Sequence, residues 1–176
     1  MSRRRSASVI PASPHPILLA AILAAISCGR SREAVHDAGS DTAFASMQER
    51  GHAVMGVDQY TSSHVFENLP DGGRIVLERD SASDTSGIAT IRAHMQSIAT
   101  AFREGDFEKP FQVHVQVVPG TAVMAARHGA IDYSVIDRPR GAEVRIRSAD
   151  TAAVAAIHAF LDFQRGAHHA GAHEHS

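Results

Sequence analysis

The stretch "SSHVFENLPDGGRIVLERD", residues 62–80, decides the fold, because one turn signal divides it into two segments of alternating side chains. The "DGG" at residues 71–73 is typical of a tight hairpin turn. Ile75 and Leu77 point to one face of the returning strand, because successive side chains alternate between the two faces. The stretch therefore predicts a β-hairpin with one apolar face.

The same pattern occurs a second time in "AIDYSVIDRPRGAEVRIRSAD", residues 130–150, with its turn at Arg140 and Gly141. A helical pattern follows each hairpin, "IATIRAHMQSIATAF" at 88–102 and "VAAIHAFLDFQRGAH" at 154–168. Two strand–strand–helix units in tandem predict an α+β fold, with a mainly antiparallel four-stranded sheet covered by helices.

The two long helices each have an apolar stripe at helical spacing. The stripe of the first helix is Ile88, Ile91, Met95, Ile98 and Phe102. The stripe of the second helix is Val154, Ile157, Leu161 and Gln164. We therefore assign Met95 to the core, and we expect two further helices, at 44–55 and between Pro119 and Gly129.

The first 27 residues have the pattern of a secretory signal peptide, with three leading arginines and the uncharged run "ILLAAILAAIS" at 17–27. This run of 11 residues is shorter than the about 20 that span a membrane. The next residue, Cys28, is the only cysteine, and "AISC" at 25–28 resembles a bacterial lipobox, although Ala25 stands where leucine is usual. We expect export to the cell envelope, either as a lipoprotein anchored through Cys28 or as a periplasmic protein cut by ordinary signal peptidase.

The remaining chain is expected to have three parts. Residues 28–46 are small and polar, as in a flexible tether. Residues 47–166 form the single α+β domain, and residues 167–176 form a histidine-rich tail.

The charge balance argues against a nucleic-acid partner. The chain has 17 Lys and Arg, of which three belong to the signal, against 19 Asp and Glu, so the mature protein is acidic with neutral histidines. No stripe of basic residues is present that could neutralise phosphates. There is no Trp and there are only two Tyr, so few side chains could stack on bases. The membrane is expected to be a partner only through the N-terminal lipid anchor.

Composition gives the main functional signal, which is 12 His and five Met beside one Cys. Imidazole binds copper and zinc, thioether sulfur binds Cu(I), and both ligand types persist in an oxidising compartment. The tail histidines are His168, His169, His173 and His175. The histidines of the domain are His52, His64, His94, His114, His128 and His158.

Each of these histidines also has a structural interpretation. His94 and His158 lie about 70 and 90 degrees from the centres of their apolar stripes. At such a boundary a histidine can be simply satisfied by a hydrogen bond. The acids of "REGDFEKP", residues 103–110, are a rival cation or acid–base group, although acids after a helix are usually solvated.

Several motifs together resemble a family of small bacterial proteins of unestablished function. They are "MGVDQYTSSHVF", "DGGRIVL", "IRAHMQSIATAFREGDF", "VPGTAVM" and "AIHAFLDFQ", and they cover residues 55–168. The resemblance implies a shared histidine and methionine set at Met55, His64, His94, His114, Met124, His158 and His168. Ser63 departs from the family, where a second histidine beside His64 is expected. The aspartate carbamoyltransferase name sometimes attached to the family does not fit, because an S-x-R-T motif for carbamoyl phosphate is absent.

Our leading hypothesis is an envelope protein that binds a transition metal, copper before zinc. The expected ligands are His94, His158 and one or two of His64, His114, His168 and Met124. An alternative is a structural or accessory envelope lipoprotein that binds another macromolecule without metal. A third is an enzyme with a histidine base near Asp106 or Glu108, but the sequence pairs no base with an orienting partner.

Overall fold

The computed structural model describes residues 30–56 and 59–170 of the 176-residue chain. The expected signal peptide at 1–27, the lipidation site Cys28, and His173 and His175 lie outside these residues. The chain divides into two units between His36 and Asp37. The sheet, the helices α2 to α5 and every site residue described below belong to the second unit.

The described residues form five α-helices and four β-strands. The helices are α1 (Arg30–Met55), α2 (Thr85–Arg103), α3 (Glu108–His114), α4 (Thr121–Ala126) and α5 (Thr151–Ala167). The strands are β1 (Ser62–Leu69), β2 (Gly72–Arg79), β3 (Ile131–Arg138) and β4 (Gly141–Ser148). Short 3-10 turns precede β1 and β3.

Both predicted hairpins are present, and they join into one antiparallel sheet with the order β1-β2-β4-β3. Phe66 pairs with Ile75 in the first hairpin, and Val135 pairs with Val144 in the second. The prediction of an α+β fold with a four-stranded antiparallel sheet is confirmed. The order strand, strand, helix occurs twice, but the proposed internal repeat itself stays a prediction.

Two long helices, α2 and α5, cover one face of the sheet with the predicted stripes. Ile91, Met95 and Phe102 of α2 and Ile157 and Leu161 of α5 are all buried. Each helix begins at an aspartate that accepts hydrogen bonds from the first turn, and such a cap stabilises a helix by about 1 kcal/mol. The caps are Asp84, which binds Gly87 N, and Asp150, which binds Ala152 N.

Helix α5 approaches the sheet closely at Gly73. A methyl group on Gly73 would lie 2.1 Å from Leu161 Cδ1 and 2.6 Å from Glu67 O. Because protein interiors are close-packed, no other residue fits there without moving α5 or β1. This contact fixes the height of α5 above the first hairpin.

The opposite face of the sheet is held by an ionic network. Glu143 is only 6% exposed and lies 3.2 Å from Arg138 and 3.8 Å from Arg74. Glu78 adds a second carboxylate to Arg138. Arg145 is also buried, and it donates to Gly73 O and pairs with Asp71. Each buried charge on this face therefore has an opposite partner.

Two local features differ from expectation. Residues 30–46 of the expected tether are helical, since α1 runs without a proline from Arg30 to Met55. Helix α3 was not predicted, because acids that follow a helix usually lie in a solvated loop. Instead Asp106 Oδ1 accepts from Glu108 N at the helix start, and proline is tolerated in a first turn. Among the described residues no helix is long and apolar enough to cross a membrane.

Candidate functional site

One cavity collects four of the histidines that the sequence singled out. The lining histidines are His64 of β1, His94 of α2, His114 of α3 and His168, which follows α5. We call this space the histidine cavity. Its volume is about 70 Å³, which exceeds the 10 to 15 Å³ or so that one water molecule needs. It is large enough for a metal ion with a few water molecules and too small for a large organic cofactor.

Two ring contacts join three of these imidazoles. The ring centres of His64 and His168 are 5.2 Å apart, and the rings are stacked with a tilt of 25°. The ring centres of His114 and His168 are 5.3 Å apart, with the rings perpendicular. His168 is therefore the centre of a three-ring cluster, and His94 lines the same cavity from α2.

The rest of the lining is almost entirely apolar. Phe66 contacts the rings of both His64 and His168, with centre distances of 6.1 and 5.4 Å. Two methionines, Met55 at the end of α1 and Met95 of α2, add thioether sulfur to the lining. Lys109 of α3 is the one charged residue among the described residues of the lining. No Asp or Glu belongs to this part of the surface.

This environment holds the histidines neutral. Burial lowers the pKa of His64 from 6.5 to about 4 and that of His168 to about 3, where the neighbouring His64 and His114 add to the effect. Burial lowers the pKa of His94 to about 4, assisted by the positive charge of Lys109. The pKa of His114 is also lowered, mainly by burial. All four rings are therefore neutral at physiological pH.

Two buried ring nitrogens of the cluster have no hydrogen-bond partner. They are Nε2 of His64 and Nδ1 of His168. Buried polar atoms are nearly always paired, so two such atoms on stacked rings require an explanation. Four other buried side-chain atoms share this property but do not belong to the cavity lining. They are Gln48 Oε1, Asn68 Oδ1, Tyr133 OH and Arg138 Nε.

The third ring, His114, has a defined tautomer. Its Nε2 lies 2.9 Å from Oε1 of Gln164, and an amide oxygen can only accept a hydrogen bond. The proton is therefore on Nε2, and Nδ1 keeps a lone pair. An outer hydrogen bond of this kind orients the ring of a metal-binding histidine.

Two of the expected ligands lie elsewhere. His158 is on α5 but donates from Nε2 to Leu69 O at 3.0 Å, at the end of the first hairpin. Met124 of α4 is fully buried in the core and is not part of the cavity lining. The structure therefore brings together His64, His94, His114 and His168, and it separates them from His158 and Met124.

Other residues of the cavity were not in our expected ligand set. Met55 belongs to the histidine and methionine pattern of the sequence but not to the expected ligands, and Lys109 lies on α3, which was not predicted. Lys109 is the only lysine of the chain, so the sequence alone could have singled it out. Of the rival acids, Asp106 accepts a hydrogen bond from Glu108 N just before α3, whose N-cap is Phe107.

Among the described residues, no three His, Cys, Asp or Glu side chains form a group that could hold a metal ion. No known protein family, characterised protein or solved structure matches the chain. The resemblance to the small bacterial family therefore stays a prediction, and the geometry of the cavity carries the functional argument.

Proposed function

We propose that the protein binds Cu(I) in the histidine cavity and acts as a copper-binding protein of the bacterial cell envelope. The observation that carries the proposal is the pair of unpartnered buried nitrogens, His64 Nε2 and His168 Nδ1, on rings 5.2 Å apart. A buried polar atom without a partner costs about 1–3 kcal/mol. An imidazole binds a metal in the plane of its ring, so a metal ion at the shared edge of the stacked pair, reached by rotation of the rings, would satisfy both atoms at once.

The protonation state of the cluster suits a metal ligand. A histidine must be neutral to bind a metal, and in water this requires competition with a proton. Burial has already lowered the pKa of His64 and His168 far below 7. The lone pairs are therefore available to a metal at neutral and mildly acidic pH.

The charge of the lining favours Cu(I) over Zn²⁺. A dication in a cavity lined by neutral rings and apolar carbon would keep both charges, and burying uncompensated charge is expensive. The described lining offers no carboxylate, and Lys109 adds a positive charge. A monocation carries half that charge, and its soft character matches the thioethers of Met55 and Met95.

The low ligand number of Cu(I) also fits the donors. Two imidazoles with one thioether form a complete set for Cu(I), and such a set contains fewer than three His, Cys, Asp or Glu. We assign His64 and His168 as the primary ligands. Met55 completes the set, and His94 and His114 line the same cavity without being required by it.

The proposed location in the cell envelope agrees with imidazole and thioether ligands. An export signal would carry the chain into an oxidising compartment, where thiol ligands are lost but imidazole and thioether survive. Cys28 is the only cysteine of the chain, and we propose that it carries a lipid anchor.

The first test is a Cu(I) titration of the full chain under anaerobic conditions, in competition with a coloured Cu(I) chelator. His173→Ala and His175→Ala are included in every variant, so that the tail does not contribute. We expect the His64→Ala, His168→Ala double variant to lose at least about 100-fold in affinity, because both primary ligands are gone. X-ray absorption of the bound copper is expected to show Cu–S scattering that Met55→Leu removes.

His158→Ala is the matched control, because this histidine lies on the same helix as the cavity wall but bonds to Leu69 O. It should bind Cu(I) like the reference chain. If the double variant and the control bind equally well, the cavity is not the site. If the reference chain binds no Cu(I), the metal proposal is wrong. That result would favour the alternative of a structural or accessory envelope lipoprotein.

A further inference from the structure

A groove on the outside of the molecule reaches the same cluster, and this inference rests on the function proposed above. The groove runs between α1 and the end of α5 and is lined by Phe44, Met47, His114, His169 and Asp162, among others. We call it the outer groove. It contains the same donor types as the histidine cavity, imidazole and thioether.

His114 belongs to both spaces. It lines the histidine cavity and also the outer groove. Its ring is held from one side by Gln164 and from another by the edge of Phe163, with ring centres 5.0 Å apart. His114 therefore forms the wall between the cavity and the surface.

The end of α5 connects the two spaces in a second way. His168 faces the cavity, whereas the next residue, His169, lines the outer groove and is exposed. His169 has a φ of 49°, in the left-handed region that side chains other than glycine and asparagine rarely adopt. Its ring stacks on Phe44 with a centre distance of 4.3 Å and a tilt of 6°. This stacking holds His169 at the surface in spite of the unfavourable backbone conformation.

We infer that the outer groove is an entry site for Cu(I), where Met47, His169 and His114 receive the ion before it moves into the histidine cavity. Met47 is 6% exposed and brings a thioether from α1 to the floor of the groove. Asp162 places a carboxylate at the groove beside its ion-pair partner Arg165, and Arg50 also lines the groove. The imidazole and thioether donors, and not a net negative charge, are therefore what the groove offers to Cu(I).

The tautomer of His114 indicates that Cu(I) passes from the outer groove to the histidine cavity, and that the two spaces are not two permanent sites. Gln164 occupies Nε2, so His114 offers one lone pair, which can bind an ion in only one of the two spaces at a time. The outer groove is then occupied only transiently. Its residues lower the barrier to entry and to exit equally, so they affect the rate of uptake and leave the final affinity unchanged.

The test measures the rate at which the full chain removes Cu(I) from a coloured Cu(I) chelator in a stopped-flow instrument. The variants are Met47→Leu combined with His169→Asn, and Met47→Leu combined with His169→Phe. Asparagine tolerates the left-handed backbone, and phenylalanine keeps the stacking on Phe44, so the loss of the donors is what both variants share. We expect both to take up Cu(I) about tenfold more slowly or worse, with an equilibrium affinity within about threefold of the reference.

His52→Ala is the control for uptake, because it removes an exposed histidine from the same helix as Met47. Uptake rates equal to the reference in both variants would overturn the entry site and leave the proposed function intact. A loss of equilibrium affinity as large as that of the His64→Ala, His168→Ala variant would also overturn it, because Met47 and His169 would then belong to the final site. A reference chain that binds no Cu(I) would overturn both proposals.

Discussion

On the open face of the sheet Glu143 lies between Arg74 and Arg138, whereas on the helix-covered side His64 and His168 face each other without partners for Nε2 and Nδ1. Both regions bury polar side chains in the same small domain. In the ionic network each charge is compensated by the protein itself. In the histidine cavity two ring nitrogens have no hydrogen-bond partner from the protein. The histidine cavity is therefore the region of the two that suits a ligand.

Acidification is expected to give the largest effect, and it acts on the cavity. The metal-free protein keeps His64, His94 and His168 neutral, with pKa values of about 4, 4 and 3, while the unfolded chain protonates them near 6.5. The unfolded state therefore binds more protons below about pH 6.5, and the free energy of unfolding falls as the pH is lowered toward these folded-state values. We expect a loss of about 2 kcal/mol per histidine between about pH 6.5 and 5.

Urea unfolding of the metal-free full chain at several pH values measures this loss. Most carboxylates stay ionised in this range, so the slope reports mainly on histidine. A free energy of unfolding that stays constant from pH 7 to about pH 5 would contradict the neutral cluster.

Breaking the ionic network is expected to cost about 2 kcal/mol. Glu143→Ala leaves Arg74 and Arg138 without the carboxylate between them, and removing one member of a buried pair is destabilising. Urea unfolding at pH 7 gives the value. Glu67→Ala is the control, since Glu67 pairs with the same Arg74 but its side chain is 41% exposed, so we expect a loss below about 1 kcal/mol. Equal losses in the two variants would show that burial does not distinguish the pairs.

Filling the cavity is expected to give the smallest effect, with the opposite sign. His64→Phe replaces the unpartnered Nε2 by carbon, and the adjoining space of about 70 Å³ can accept the larger ring. We expect the free energy of unfolding of the metal-free protein to rise by about 1 kcal/mol, while Cu(I) binding is lost. The slope of stability with pH should also decrease in this variant. A destabilised His64→Phe chain would mean that the ring nitrogen is satisfied in the folded state.

The sequence predicted the fold better than the site, for a physical reason. Hairpins and helix stripes depend on residues close along the chain, so the turn at 71–73 and the stripe through Ile91 and Met95 were readable. The cavity depends on which elements meet in space. His158 and His168 lie on the same apolar helix pattern, yet one reaches a hairpin carbonyl and the other a cavity.

Helix α3 explains most of what was missed at the site. Its seven residues are too few for a periodic signal, and its acids resemble a solvated loop. It nevertheless carries His114, Lys109 and part of the apolar lining. The pairing of His169 with Phe44 was equally hidden, because it joins residues 125 positions apart along the chain.

The contact between Gly73 and Leu161 has a consequence for how this sequence can change over evolution. Gly73 admits not even a methyl group, because both Leu161 Cδ1 and the backbone of Glu67 occupy that space. Its neighbour Arg74 faces the other side of the sheet, where the side chain is 31% exposed. A substitution at Arg74 would remove one partner of the buried Glu143, whereas Gly73 could vary only together with a smaller residue at 161 and a shift of the first hairpin.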